Sequence, residues 1–238
     1  MRLPAVWENF LGDVFDIRKF YRELNDHINS WAPVIPEPDK IFNAFTFMEP
    51  QEVTCVLFGE DPYPRTASAN GVAFWDAEIN SWQDKTHGNA LKNILKALLV
   101  ADGLAEYSTP IAQCRKIVAD NGFPHPAELF MRWLDQGILP VNTAMTFSTA
   151  GDKAGHFKFW QPFHQRLISA LNRRPQSPFY VLWGRKAWQW EREIHKSIDN
   201  LSRIIKQGHP TFIHQFLDKN NPTWSSFKEI RQRTGLEW

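Results

Sequence analysis

Short apolar runs that end in glycine, proline or polar residues alternate along this chain with longer stretches whose apolar residues recur at helical spacing. Residues 53–58 are β-branched and apolar without clean alternation, the pattern of a strand covered on both faces. The run breaks into Gly59-Glu60-Asp61-Pro62-Tyr63-Pro64. The design recurs three times: 137–141 leads into Asn142-Thr143, 179–183 into Gly184-Arg185-Lys186, and 203–207 into Gly208-His209-Pro210. A shorter strand-like run covers 71–75. Helical spacing marks 6–31 (one or two helices), 90–100, 126–134, 163–172, 187–195 and 224–233, whereas 76–88 and 101–126 turn polar and read as loops or short insertions. Strands alternating with helices predict a single α/β domain: a central, mostly parallel four-stranded sheet flanked by helices.

That architecture puts the residues after each strand at one edge of the sheet, so Asp61, Asn142, Arg185 and His209 are expected together. Open α/β sheets place their ligand crevice there. Asp61 and Tyr63 each precede a proline, which disfavours the α region and holds both extended.

Composition narrows the function classes. Hydrophobic content of 43% with 22% charged residues excludes a largely disordered chain, and 238 residues suffice for a sizeable core. A net charge of +1 denies the chain a globally basic surface, so any nucleic-acid contact must use a local patch. Eleven Trp and eighteen Phe are compatible with base stacking as well as with core. Two cysteines without metal-ligand spacing fit a reducing, cytoplasmic compartment. Neither a signal sequence nor an apolar run of about 20 residues is apparent.

The strand ends resemble the uracil-DNA glycosylase family, with its G-Q-D-P-Y-H, G-L-x-F, L-L-N-x-x-L-T, L-W-G and H-P-S-P-L-S motifs. In this chain they stand as Gly59-Glu60-Asp61-Pro62-Tyr63-Pro64, Gly71-Val72-Ala73-Phe74, Pro140-Val141-Asn142-Thr143-Ala144-Met145-Thr146, Leu182-Trp183-Gly184 and His209-Pro210-Thr211-Phe212-Ile213-His214. Each motif is weak alone; five in order are specific. The resemblance covers about residues 33–238, leaving 1–32 as a helical N-terminal scaffold of the same domain.

The resemblance implies a monofunctional DNA glycosylase, a hydrolase that flips a nucleotide out of DNA and cuts its N-glycosidic bond. By it, Asp61 positions water and stabilises the oxocarbenium-like sugar, and neutral His209 stabilises charge developing on the base O2. Phe74 stacks on the base, Asn142 reads its edge, Tyr63 packs beside C5, and Ile213 is the apolar wedge. Arg65, His156, Arg185 and Thr211 are expected to join Ile213 at the DNA. The resemblance implies no metal or cofactor, and a monomer with DNA as its partner.

Departures from the family pattern leave the substrate open. Pro64 replaces a His, residues 65–68 replace a Gly-Pro-Gly-Gln loop, Ala90 stands in place of a phosphate-contacting serine, and Thr211-Phe212 replaces Ser-Pro. The loop 149–159 keeps Ala150-Gly151 and His156 but is otherwise changed. Glu60 replaces Gln, and an ionised carboxylate only accepts hydrogen bonds, so it asks for a donor. Uracil is the default base. A modified cytosine, as in phage DNA, offers Glu60 an amine or hydroxyl and implies antiviral defence. A catalytically silent binder of abnormal DNA is a further reading, disfavoured because Asp61 and His209 are both present. An unrelated α/β hydrolase lacks its Gly-x-Ser-x-Gly elbow here.

Overall fold

The computed structural model describes all residues except 32, 87, 149–152 and 198–200, and only the backbone of Leu201. Strands β1 (Cys55–Gly59), β2 (Ile138–Asn142), β3 (Phe179–Trp183) and β4 (Ile204–Gln207) form one sheet in the order β2-β1-β3-β4, every pair parallel. Parallel neighbours need crossover connections. They run through α3 (Ala90–Ala101), α4 (Ile111–Asp120) and α5 (Pro126–Asp135) between β1 and β2, through α6 (Lys153–Asn172) between β2 and β3, and through α7 (Arg185–Trp188) and α8 (Trp190–His195) between β3 and β4, while α1 (Ala5–Gly12) and α2 (Ile17–Ser30) precede the sheet and α9 (Ile213–Phe216) and α10 (Ser226–Thr234) follow it.

The uninterrupted apolar strands are explained by two cores. Val56, Phe58, Leu139, Val141, Tyr180 and Leu182 face one side, against Trp7, Leu11, Phe20, Leu24, Trp160 and Phe163 of α1, α2 and α6. Cys55, Leu57, Ile138, Val181, Trp183 and Ile205 face the other, against α3, α4, α5 and α10. Successive side chains point to opposite faces of a strand, and here both faces are covered.

Three local expectations change. Residues 71–75 form no strand: the segment is an irregular loop bracketed by an isolated bridge between Ala69 and Asp76, and Phe74 sits at φ 67°. Helix α4 lies in the stretch read as loop, because it buries only Cys114 and Val118 and so has a faint apolar stripe. Helix α6 begins at Lys153, with Pro162 inside it, rather than just after that proline. The sheet register sets Gly59 beside Asn142 and Trp183 beside Gln207, so all four strands stop at a common edge.

Candidate active site

That edge opens into a cavity of about 500 Å³, within the range of small-molecule sites. Glu60, Asp61, Tyr63, Phe74, Asn142, Lys153 and His209 contribute to its wall. The strand ends are pinned by backbone bonds: Thr143 donates from N and Oγ1 to the Gly59 carbonyl at 3.0 and 2.8 Å, and Ala144 N donates to the Glu60 carbonyl at 3.0 Å. A side chain on the residue before the acidic pair would force its neighbours to move. A Cβ on Gly59 would lie 2.5 Å from Asn142 Oδ1 and 3.1 Å from the Phe74 ring. Asn142 and Phe74 therefore close over bare backbone.

Phe74 adopts the left-handed region that side chains ordinarily avoid, a conformation costing about 1–2 kcal/mol. Two contacts hold it. The Tyr63 hydroxyl donates to the Phe74 carbonyl at 3.1 Å, and the Phe74 ring meets Trp183 edge-on at 4.9 Å. Strain held by surrounding structure is characteristic of functional positions. Tyr63 is thus a buttress for Phe74 as well as a wall of the cavity.

Asn142 is fixed from behind. His164 Nε2 donates to its carbonyl at 2.9 Å, and burial pushes the His164 imidazole down to about 3, keeping it neutral.

His209 follows β4 and packs against Gly184, which has φ 90° and whose Cβ, if present, would stand 2.9 Å from His209 Cβ. The Thr211 amide donates to His209 Nδ1 at 3.2 Å. An amide nitrogen only donates, so Nδ1 presents its lone pair and the proton of the neutral ring sits on Nε2. Burial lowers the His209 pKa, Lys153 lowers it further, and Glu60 acts in the opposite sense. The ring is a neutral donor. Its loop is held from α3, where Asn93 Nδ2 donates to the Pro210 carbonyl at 2.7 Å. The spacing of apolar positions carries no trace of that role.

The acidic pair meets a residue that motif reasoning passed over. Lys153 Nζ, at the start of α6, lies 2.7 Å from Glu60 Oε1 and 3.0 Å from Asp61 Oδ2. Burial raises the Asp61 pKa and Glu60 adds to the rise, while Lys153 and Lys186 pull it back. Burial alone would lower the Lys153 pKa, but hydrogen bonds to both carboxylates carry it above its ordinary value. The donor that Glu60 requires is therefore the protein's own ammonium. The modified-cytosine reading rested on Glu60 lacking such a donor, and it loses that support.

The residues expected at the DNA divide. Thr211 lines the cavity mouth, and Arg185 is exposed at the start of α7. Arg65 is engaged elsewhere: its guanidinium reaches Asp76 at 3.1 Å, Glu78 at 3.0 Å and Ser68 Oγ at 2.7 Å. His156 is only 1% exposed, with Nδ1 2.9 Å from His27 Nε2 and 2.8 Å from Thr146 Oγ1, so it belongs to the interior and not to a DNA face. Ile213 packs partly against the core, and the exposed apolar group of this turn is Phe212, at 51%. Thr149, Ala150 and Gly151 lie outside the described residues. Among the described residues, no cluster of three His, Cys, Asp or Glu side chains could hold a metal ion, and no helix is long and apolar enough to cross a membrane.

Fold and site together are those of a parallel-sheet protein with a small-molecule-sized pocket at its strand ends. Residues 45–231 match the sequence profile of the uracil DNA glycosylase superfamily, and the chain belongs to that superfamily. It is 29% identical to the uracil-DNA glycosylase of Exiguobacterium sibiricum over 99% of both chains, and 30% identical to that of Clostridium perfringens over 86% of this chain and 80% of the relative. Among solved structures, wild-type UNG from Nitratifractor salsuginis superposes with a TM-score of 0.72 at 21% identity, covering 98% of this chain and 92% of that one. Mimivirus uracil-DNA glycosylase gives 0.62 at 22% identity, covering 87% and 69%.

Proposed function

We propose that this protein is a monofunctional uracil-DNA glycosylase, acting as a monomer on a nucleotide flipped out of DNA. One observation carries the reading: at a shared sheet edge a buried carboxylate, Asp61, lines the same cavity as a neutral imidazole donor, His209, between an aromatic face and an amide. That is the set needed to break an N-glycosidic bond without a metal. The C1′–N1 electron pair leaves with the base and spreads onto O2, where the His209 Nε2 proton stabilises it. The Asp61 carboxylate stabilises the cationic sugar and orients a water, whose oxygen bonds to C1′ and whose proton passes to the carboxylate. Phe74 stacks on the ring, and Asn142 hydrogen-bonds its edge, as in other enzymes that extrude a base.

On the DNA side, Thr211 and Phe212 border the pocket, and Arg185, next to the Gly184 that packs against His209, supplies exposed positive charge. Phe212, rather than Ile213, has the free apolar surface suited to wedging into a base stack. The test is direct. The protein is incubated with oligonucleotides carrying uracil, cytosine or hydroxymethylated cytosine, and alkali-labile abasic sites are counted. Cleavage confined to uracil is expected; excision of the modified cytosine with uracil untouched would overturn the reading.

A further inference from the structure

Of two carboxylates on consecutive residues, both lining one cavity, Glu60 opposes the ionisation of Asp61. Glycosidic hydrolysis as described needs one of them, Asp61, as an anion. Glu60 is the second, and its Oε1 is directed at Lys153 Nζ, which also reaches Asp61 Oδ2. An ammonium at the first residue of a helix stands against the helix dipole, so Lys153 gains nothing from α6 itself. Its surroundings compensate it instead. We propose that Lys153 is the positioning residue that holds Asp61 ionised beside Glu60, the lysine and the glutamate acting as a matched pair of opposite charges.

The inference rests on the glycosylase reading for its importance, but not for its measurement. The charged and titratable groups facing Asp61 are Glu60 from its own strand end, Lys153 from α6, Lys186 from α7 and His209 across the cavity. Lys186 stacks over Phe157 at 4.8 Å and acts on Asp61 only at range. Lys153 makes the direct bond. The lysine favours the Asp61 anion and the glutamate disfavours it, so deleting them one at a time moves Asp61 in opposite directions. Deleting both largely restores it. A lysine that merely packed, or merely gripped a phosphate, would give neither result.

The experiment compares wild type with Lys153→Met, Lys153→Arg, Glu60→Gln and the double variant Glu60→Gln/Lys153→Met. It reads single-turnover uracil excision against pH, and the carboxyl carbon resonance of Asp61 against pH in the DNA-free protein. Lys153→Met should move the acid limb and the Asp61 titration upward by about one pH unit, the low end of the range for an opposite charge in contact because the lysine is partly exposed. Excision then falls about tenfold on the limb and much less on the plateau. Lys153→Arg should return both to wild type. Glu60→Gln should move both downward, and the double variant should lie between the singles. His209 feels the same two charges in the same senses, so the Asp61 resonance makes the assignment.

An unmoved titration, a uniform loss at every pH, or a salt-sensitive rise in KM alone in Lys153→Met would each overturn the proposal. If that variant fails to fold, Glu60→Gln decides by itself: an Asp61 titration that does not move down overturns it. If wild type excises no uracil, the functional reading fails while the resonance still tests the pairing.

Discussion

The two sides of the pocket are held by different physics. Phe74, Asn142 and His209 are uncharged in their working states, and sterics and hydrogen bonds fix them: bare backbone at Gly59 and Gly184, the Tyr63 hydroxyl, the His164 ring and the Thr211 amide. Glu60, Asp61 and Lys153 are set against one another by charge, with few rigid contacts between them. On the proposed mechanism, shape places the base and the His209 donor, and charge prepares Asp61. Substitutions on the first side should therefore alter binding geometry at all pH values. Those on the second should leave geometry intact and alter when the site is active.

The largest effect is expected on the charged side. Asp61→Asn keeps the shape and should cut excision by about a thousandfold or more, since the cationic sugar and the water lose their anion. Its melting temperature should not fall. A carboxyl group whose folded pKa is raised contributes stability below its unfolded pKa and loses it as pH rises through the folded value. At neutral pH the Asp61 anion is a cost to the fold, and a melting curve taken there should show the variant equal to or above wild type. Substantial remaining turnover would break the comparison at its root.

His209→Ala should follow, slowing single-turnover excision by about a hundredfold to a thousandfold, the usual loss of one preorganised donor, with DNA affinity much less affected. Because the working ring is neutral and its pKa is lowered, wild-type excision should rise with pH through the acid limb and hold a plateau at neutral pH. A rise in activity as the ring protonates would instead mark His209 as a proton donor.

Gly59→Ala probes the steric side. Its Cβ lands 2.5 Å from Asn142 Oδ1, so Asn142 or Phe74 must shift. Excision should drop about tenfold to a hundredfold at every pH, without displacement of the acid limb, as expected for misplaced recognition groups. A displaced limb would show that the two sides are not separable.

The smallest effect sharpens the account of the DNA face. Phe212→Ala should raise KM on duplex DNA several-fold with little change in melting temperature, while Ile213→Ala should lower the melting temperature by removing packing from the core. The reverse outcome would return the wedge to Ile213.

The steric side was legible in the sequence because it is built where strands end. Runs buried on both faces announced β1 to β3, Asn142 ends β2, and His209 stands two residues beyond β4. Phe74 was legible as a residue but not as a conformation, since nothing in 71–75 signals a left-handed phenylalanine. The charged side was half legible. Asp61 and Glu60 stand in an evident motif, yet Lys153 reaches them only because α6 starts ten residues before the stretch, 163–172, that helical spacing marks. Arg65 and His156 show the same limit: one charge is taken up by Asp76 and Glu78, and one ring is buried by a helix from the far end of the chain.

That helix alters how the chain can be divided. His27 of α2 lies flat on Phe159 at 4.0 Å and touches His156, both in the opening turns of the helix that carries Lys153; burial, with His156 beside it, pushes the His27 imidazole down to about 4. Phe20 stacks on Phe163 one turn further along. The border between the N-terminal helices and the motif-bearing remainder thus exists in sequence only. A recombinant that exchanged those helices for another lineage's would inherit the motifs and still have to supply a neutral partner for His156, so the first segment and the helix that carries Lys153 have to be exchanged together.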